Sequence, residues 1–200
     1  MNMFISLVLV SLVILALKSK LNKSYVVVIY GLLLLISTLL FMYLHKDIIN
    51  SSYPIRVGLY DILWTCLAVP LIIIFYVCEK MLSNVIFNKV LVLDIKYYFG
   101  GRLDTLQFVI SIPIALLEEC AFRLPLIIYN NQGYKNILFI IIVTSFLFGI
   151  NHLFFSKYNA VSKYVLGVIL AIISIYGESI ITAIVLHIIY NFFVSRHYES

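Results

Sequence analysis

Charged side chains are scarce: Asp, Glu, Lys and Arg make up 12% of the 200 residues, against 64% hydrophobic. Soluble domains carry roughly a quarter charged residues, so this chain lacks the polar surface needed to cover itself in water. Its composition demands lipid as solvent. Acidic residues are fewer than basic ones, nine against fourteen, for a net charge of +5. The basic side chains sit in short segments between apolar runs. No stripe of Lys and Arg interleaves with aromatics, which excludes a nucleic-acid partner. There are three cysteines, Cys66, Cys78 and Cys120, and no CxxC. An odd, scattered set excludes a disulfide framework, and each reads as a small buried hydrophobe with a free thiol. No basic residue precedes the apolar stretch that ends at Leu17, and no small-residue cleavage site follows it. It reads as a retained first span and not as a secretory signal. Internal repeats and a soluble domain are also lacking.

What is present is a series of long apolar runs. A spanning helix needs about 20 mostly apolar residues. The candidates are Met3–Leu17, Tyr25–Leu44, Leu59–Cys78, Thr105–Tyr129, Ile137–Phe155, Val161–Tyr176 and Ile180–Val194. In hydrocarbon every backbone polar group must be satisfied internally, and continuously apolar runs do this as helices. The expected fold class is therefore all-α, a polytopic transmembrane helical bundle of seven spans. Val85–Phe99 carries Lys89, Asp94 and Lys96 among apolar residues and is expected to be an interfacial amphipathic helix. If it re-enters the bilayer, the spans become eight. One integral membrane domain is expected, with N-terminal spans over 1–104 and core spans over 105–200. Gly100–Gly101 reads as a hinge before the fourth span.

With seven spans and the N-terminus outside, the cytoplasmic segments hold Lys18, Lys20, Lys23, Lys80, Lys89, Lys96, Arg102, Lys157, Lys163 and Arg196. The outer segments hold Lys46, Arg56 and Lys135. That bias supports an N-out, C-in arrangement. The abundance of Ile, Lys, Asn and Tyr suggests an AT-rich bacterial genome, hence a bacterial plasma membrane.

A few ionisable residues fall inside the runs: Glu118, Glu119 and Arg123 in the fourth, His152 in the fifth and His187 in the seventh. Asp61 lies near a span start and is expected at the interface. A charge at a helix centre costs about 2.5–3.5 kcal/mol on insertion scales. Five such groups imply a shared polar pocket. Glu119 and Arg123 are four apart and can pair on one face. Glu118 is turned about 100° from Glu119 and can face elsewhere. His187 and Asn191 share a face, as do Phe148 and His152. Pro113 and Pro125 bracket the two glutamates, and each removes a helical hydrogen bond and can bend the span. The pocket is expected to open toward the cytoplasm.

Glu118-Glu119-Cys120-Ala121-Phe122-Arg123 reads EExxxR, Phe148 to His152 reads FxxxH, and His187 to Asn191 reads HxxxN. In this order, one per span, they resemble the CPBP family of CAAX proteases and bacteriocin-processing enzymes, also called abortive infection proteins. The resemblance covers roughly Thr105 to Val194. It implies an intramembrane endopeptidase in which Glu118 and His152 activate water while His187 and Asn191 stabilise the oxyanion. Glu119 and Arg123 are implied to be supporting, and Phe148 reads as packing. The implied partners are the lipid bilayer and a membrane-associated peptide or protein substrate, with a bacteriocin, leader or signalling peptide favoured over a prenylated one.

The chemistry stands without the resemblance. A carboxylate held in an apolar pocket can serve as general base, and an imidazole can carry the proton to the leaving amine. Other readings remain beside it. Glu118, His152 and His187 could supply three zinc ligands, though the chain has no HExxH helix; the expected cofactor is none, with zinc second. Cys120 reads as inert. A non-catalytic relative could use the same pocket as a membrane scaffold or a bacteriocin immunity protein. A proton channel or transporter could also use buried carboxylates and histidines, but paired inverted repeats and broken half-helices are lacking.

Overall fold

The computed structural model describes residues 2–17, 22–47, 49, 58–131, 133 and 136–196. Among these, all regular structure is helical. The order is α1 (Asn2–Leu17), α2 (Lys23–Leu44), α3 (Leu59–Ser83), α4 (Ile95–Phe99), α5 (Thr105–Phe122), α6 (Leu124–Asn131), α7 (Ile137–Asn151), α8 (Lys157–Gly177) and α9 (Ile180–Arg196). Each of the seven apolar runs is helical. Five helical stretches are long and apolar enough to cross a membrane: Tyr25–Leu44, Leu59–Asn88, Thr105–Asn131, Ile137–Phe154 and Lys157–Gly177. Ile5–Leu17 and Ile180–Arg196 are shorter apolar helices. Lys18, Lys20, Arg56 and Lys135, four of the residues behind the charge bias, lie outside the described residues.

Large apolar side chains cover the exterior, among them Leu12, Leu39, Leu67, Phe139 and Val161. In water such a surface would aggregate; in lipid it costs nothing to expose. The interior carries small polar groups, several of them tied back to their own helix. Ser11 donates to the Leu7 carbonyl, Thr144 to Ile140 and Ser174 to Leu170, one turn back in each case. Bonding back to the helix satisfies a hydroxyl that has no water to turn to.

Helix α9 is the centre of the bundle and packs against α3, α5 and α8. Helices α7 and α8 form the most intimate pair, while α1 and α2 pack together and reach α7 and α5 respectively. Gly149 makes the α7–α8 contact possible. A Cβ there would lie 2.7 Å from the Ala160 carbonyl oxygen and 2.9 Å from the Tyr164 Cβ. Gly149→Ala must therefore push the two helices apart, and such overpacking typically costs about 1–3 kcal/mol. Thermal unfolding in detergent should show a lowered Tm. Gly31→Ala on α2, with nothing within 4 Å of the added carbon, should melt like the wild type.

Three expectations are corrected. Val85–Phe99 is not one interfacial helix. The third span overshoots through a π turn at Asn84–Asn88, Lys89 then takes a positive φ of 56°, and only Ile95–Phe99 is helical again. Asp94 starts that last helix by accepting from the Lys96 N–H at 2.9 Å, so the polar residues act as punctuation and not as a helix face. Gly100 closes α4 through its N–H to the Lys96 carbonyl. The fourth run is two helices, because the chain breaks at Arg123. Pro125 has no N–H to give the Ala121 carbonyl, and its ring crowds that carbonyl; Pro113, by contrast, is accommodated inside α5. Asp61 keeps its expected place near a span start, in the first turn of α3, where it is buried and its Oδ2 accepts from the Gly58 N–H at 2.8 Å. Cys66 and Cys78 are exposed on α3 and face outward, and Cys120 is half-buried; all three are free.

Candidate active site

The start of α5 is fixed at both ends of a short loop. Asp104 accepts from the Gln107 N–H at 2.9 Å and donates its own N–H to the Ser195 carbonyl at 3.1 Å. This ties α5 to the end of α9 and sets their relative height. Four turns later α5 presents Glu118 and Glu119 to the interior, where both are buried.

The two neighbours divide their partners as their 100° separation requires. Glu119 Oε1 accepts from His187 Nδ1 at 2.8 Å, and its Oε2 lies 3.1 Å from Arg123 Nε. The arginine approach is an ion-pair contact and not an aligned hydrogen bond, since neither atom has a hydrogen-bond partner of good angle. The guanidinium also lies over the Phe148 ring at 5.1 Å and the Phe122 ring at 5.9 Å. A cation placed over ring faces gains further stabilisation when desolvated.

Glu118 faces the histidines. Its Oε1 is 3.6 Å from His152 Nε2, and its Oε2 is 3.7 Å from His187 Nε2. Those gaps exceed a direct hydrogen bond and are of the kind a water touching both groups closes. His152 sits where α7 ends and a short 3-10 turn begins, with Nδ1 2.9 Å from the Phe148 carbonyl. A carbonyl only accepts, so Nδ1 carries the hydrogen, and Nε2 is left turned toward Glu118. His187 is held the same way by Glu119. Phe148 packs edge-on against both rings, 4.9 Å from His152 and 5.9 Å from His187. It is the floor on which both imidazoles stand.

The structure thus brings Glu118, His152 and His187 together from three helices, with Glu119, Arg123 and Phe148 around them. Asn191 does not join them in contact. It is one turn from His187 on α9 and half-exposed, and its side chain makes no hydrogen bond to the other three among the described residues. Zinc fits poorly. The imidazoles are oriented from behind as metal ligands often are. Even so, no three His, Cys, Asp or Glu side chains among the described residues are arranged to hold a metal ion.

Sequence reasoning missed three participants. Tyr30 of α2 donates to Glu118 Oε1 at 2.8 Å. Tyr190 of α9 donates to Glu79 Oε2 at 2.6 Å, and Lys163 of α8 places its ammonium 4.0 Å from the Tyr190 ring. Spacing from His187 could have flagged Tyr190, three residues on. Nothing local marks Tyr30.

Apolar helices long enough to cross a bilayer, closed around a buried carboxylate–imidazole cluster, mark a multi-pass membrane protein. Residues 103–193 match the family described as Type II CAAX prenyl endopeptidase Rce1-like. That stretch takes in all three motifs, EExxxR, FxxxH and HxxxN. No curated protein and no solved structure matches the chain.

Proposed function

We propose that this protein is an intramembrane endopeptidase that cuts a membrane-associated peptide or protein by a glutamate-dependent, metal-free mechanism. The observation that carries the reading is the placement of Glu118 between two imidazole Nε2 atoms on different helices, at 3.6 and 3.7 Å. Water seated against Glu118 loses a proton to the carboxylate as its oxygen attacks the scissile carbonyl carbon. His152, whose Nε2 is free to accept, takes that proton on and gives it to the departing amine as the tetrahedral species collapses. The oxyanion is met by His187 Nε2 and by the Asn191 amide one turn along. Because His187 Nδ1–H is committed to Glu119, an Nε2–H donor needs the ring doubly protonated, and the Glu119 carboxylate is the partner that balances it. Each such donor is typically worth about 10²–10³ in rate.

The charge bias favours a plasma-membrane protein with its N-terminus outside. The substrate class favoured is a leader, bacteriocin or signalling peptide; the family description names a prenyl endopeptidase, so prenylated peptides belong in the same assay. The test is cleavage by the purified protein in detergent of peptides from both groups, with Glu118→Gln as control. Prolonged chelator treatment should leave the rate unchanged. Loss of activity that zinc restores would overturn the metal-free mechanism and leave the peptidase assignment standing.

A further inference from the structure

The matched segment begins at residue 103, yet the carboxylate at its centre is bonded from outside it. We propose that Tyr30 is a positioning residue for Glu118, so that the site is completed by the second helix of the chain; this rests on the peptidase reading above. Tyr30 is 8% exposed and Glu118 2%. The phenol donates to Oε1 at 2.8 Å, the shortest contact Glu118 makes among the described residues. A hydroxyl given to a carboxylate is a charge-assisted bond, stronger and more directional than a neutral one.

The consequence is geometric. A glutamate side chain has three rotatable bonds, and α5 alone does not fix the carboxylate plane. The neighbours that could do so, His152 and His187, both stand beyond hydrogen-bond distance. Tyr30 engages Oε1 on the side it shares with His152 and leaves Oε2 turned to His187. Anchoring one oxygen fixes the plane of the carboxylate that receives the proton of the attacking water. Catalytic groups must be held close to their productive geometry by partners whose own positions are fixed. Tyr30 meets that condition, because it belongs to the buried core to which α1, α2, α5, α6 and α7 contribute.

The test compares Tyr30→Phe, Glu118→Gln and the double variant in the full-length protein. Tyr30→Phe removes one oxygen and keeps the ring. It should lower kcat about 10- to 100-fold, with KM within about twofold, as expected when a catalytic group is loosened and substrate contacts are untouched. In the Glu118→Gln background it should do nothing further to the residual rate. A Tyr30→Phe variant with wild-type kcat, beside an inactive Glu118→Gln, overturns the role of Tyr30 alone. Full activity of Glu118→Gln overturns the peptidase mechanism itself. A readout independent of turnover closes the remaining gap. Infrared difference spectra between wild type and Glu118→Gln isolate the Glu118 carboxyl band, which Tyr30→Phe should shift; an unmoved band refutes the bond.

Discussion

Glu118→Gln should lower kcat/KM by about 10²–10⁴-fold, the range a positioned general base typically supplies, while the protein folds and melts as the wild type does. Gln matches Glu in size, and its amide oxygen can still accept from the Tyr30 hydroxyl that Oε1 accepts now. What it cannot do is take a proton from water. The replacement also removes a buried charge from a site where Glu118 is 2% exposed, so stability should hold or rise. Loss of cleavage with an unchanged Tm separates chemistry from collapse. The same variant divides the enzyme from a scaffold. If a cellular phenotype persists at equal expression after cleavage is lost, the pocket serves binding. A phenotype that disappears with cleavage ties it to hydrolysis. An active Glu118→Gln would falsify the assignment of the base.

The chain disclosed some of this in advance because lipid makes polarity conspicuous. Charges are so costly in hydrocarbon that Glu118, Glu119, Arg123, His152 and His187 stood out from their apolar runs, and helical spacing paired them by face. The seven apolar runs were legible for the same reason, since only helices satisfy the backbone there. Tyr30 was hidden because tyrosine is ordinary in membrane helices. Its relation to Glu118 spans 88 residues of sequence and depends on how α2 meets α5, which no local spacing encodes. The division of Val85–Phe99 was obscured by composition. Mixed charged and apolar residues suit an amphipathic face, but Asp94 is used as a helix cap and Lys89 as a left-handed stop. The break at Arg123 was half visible in Pro125. That the pair Glu119–Arg123 straddles the break, with Arg123 closing α5 through its N–H to the Glu119 carbonyl at 2.8 Å, required the backbone.

That position makes Arg123 the residue whose loss should cost the fold most. Arg123 and Glu119 are both fully buried. The guanidinium has Glu119 beside it and aromatic rings above it, and its terminal nitrogens have no hydrogen-bond partner among the described residues. Arg123→Met retains the apolar stem that packs on Phe148 and removes the charge. Glu119 then remains as a buried anion with His187 Nδ1 as its single close partner. Removing one member of a buried pair typically costs about 3–5 kcal/mol, a large share of the roughly 5–15 kcal/mol that holds a typical domain together. The variant should show a sharply lowered Tm in detergent and reduced yield. Glu119→Gln combined with Arg123→Met should recover most of that loss. Neither charge is then stranded, and the amide oxygen of the introduced glutamine can still accept from His187 Nδ1, so the imidazole keeps its orientation. Recovery of stability in the double variant without return of cleavage identifies the ion pair as a stability element and the Glu119 carboxylate as the charge that the His187 donor needs. A single Arg123→Met that melts with the wild type would mean that Glu119 carries no buried charge, and His187 would then lose the anion assigned to balance it during turnover.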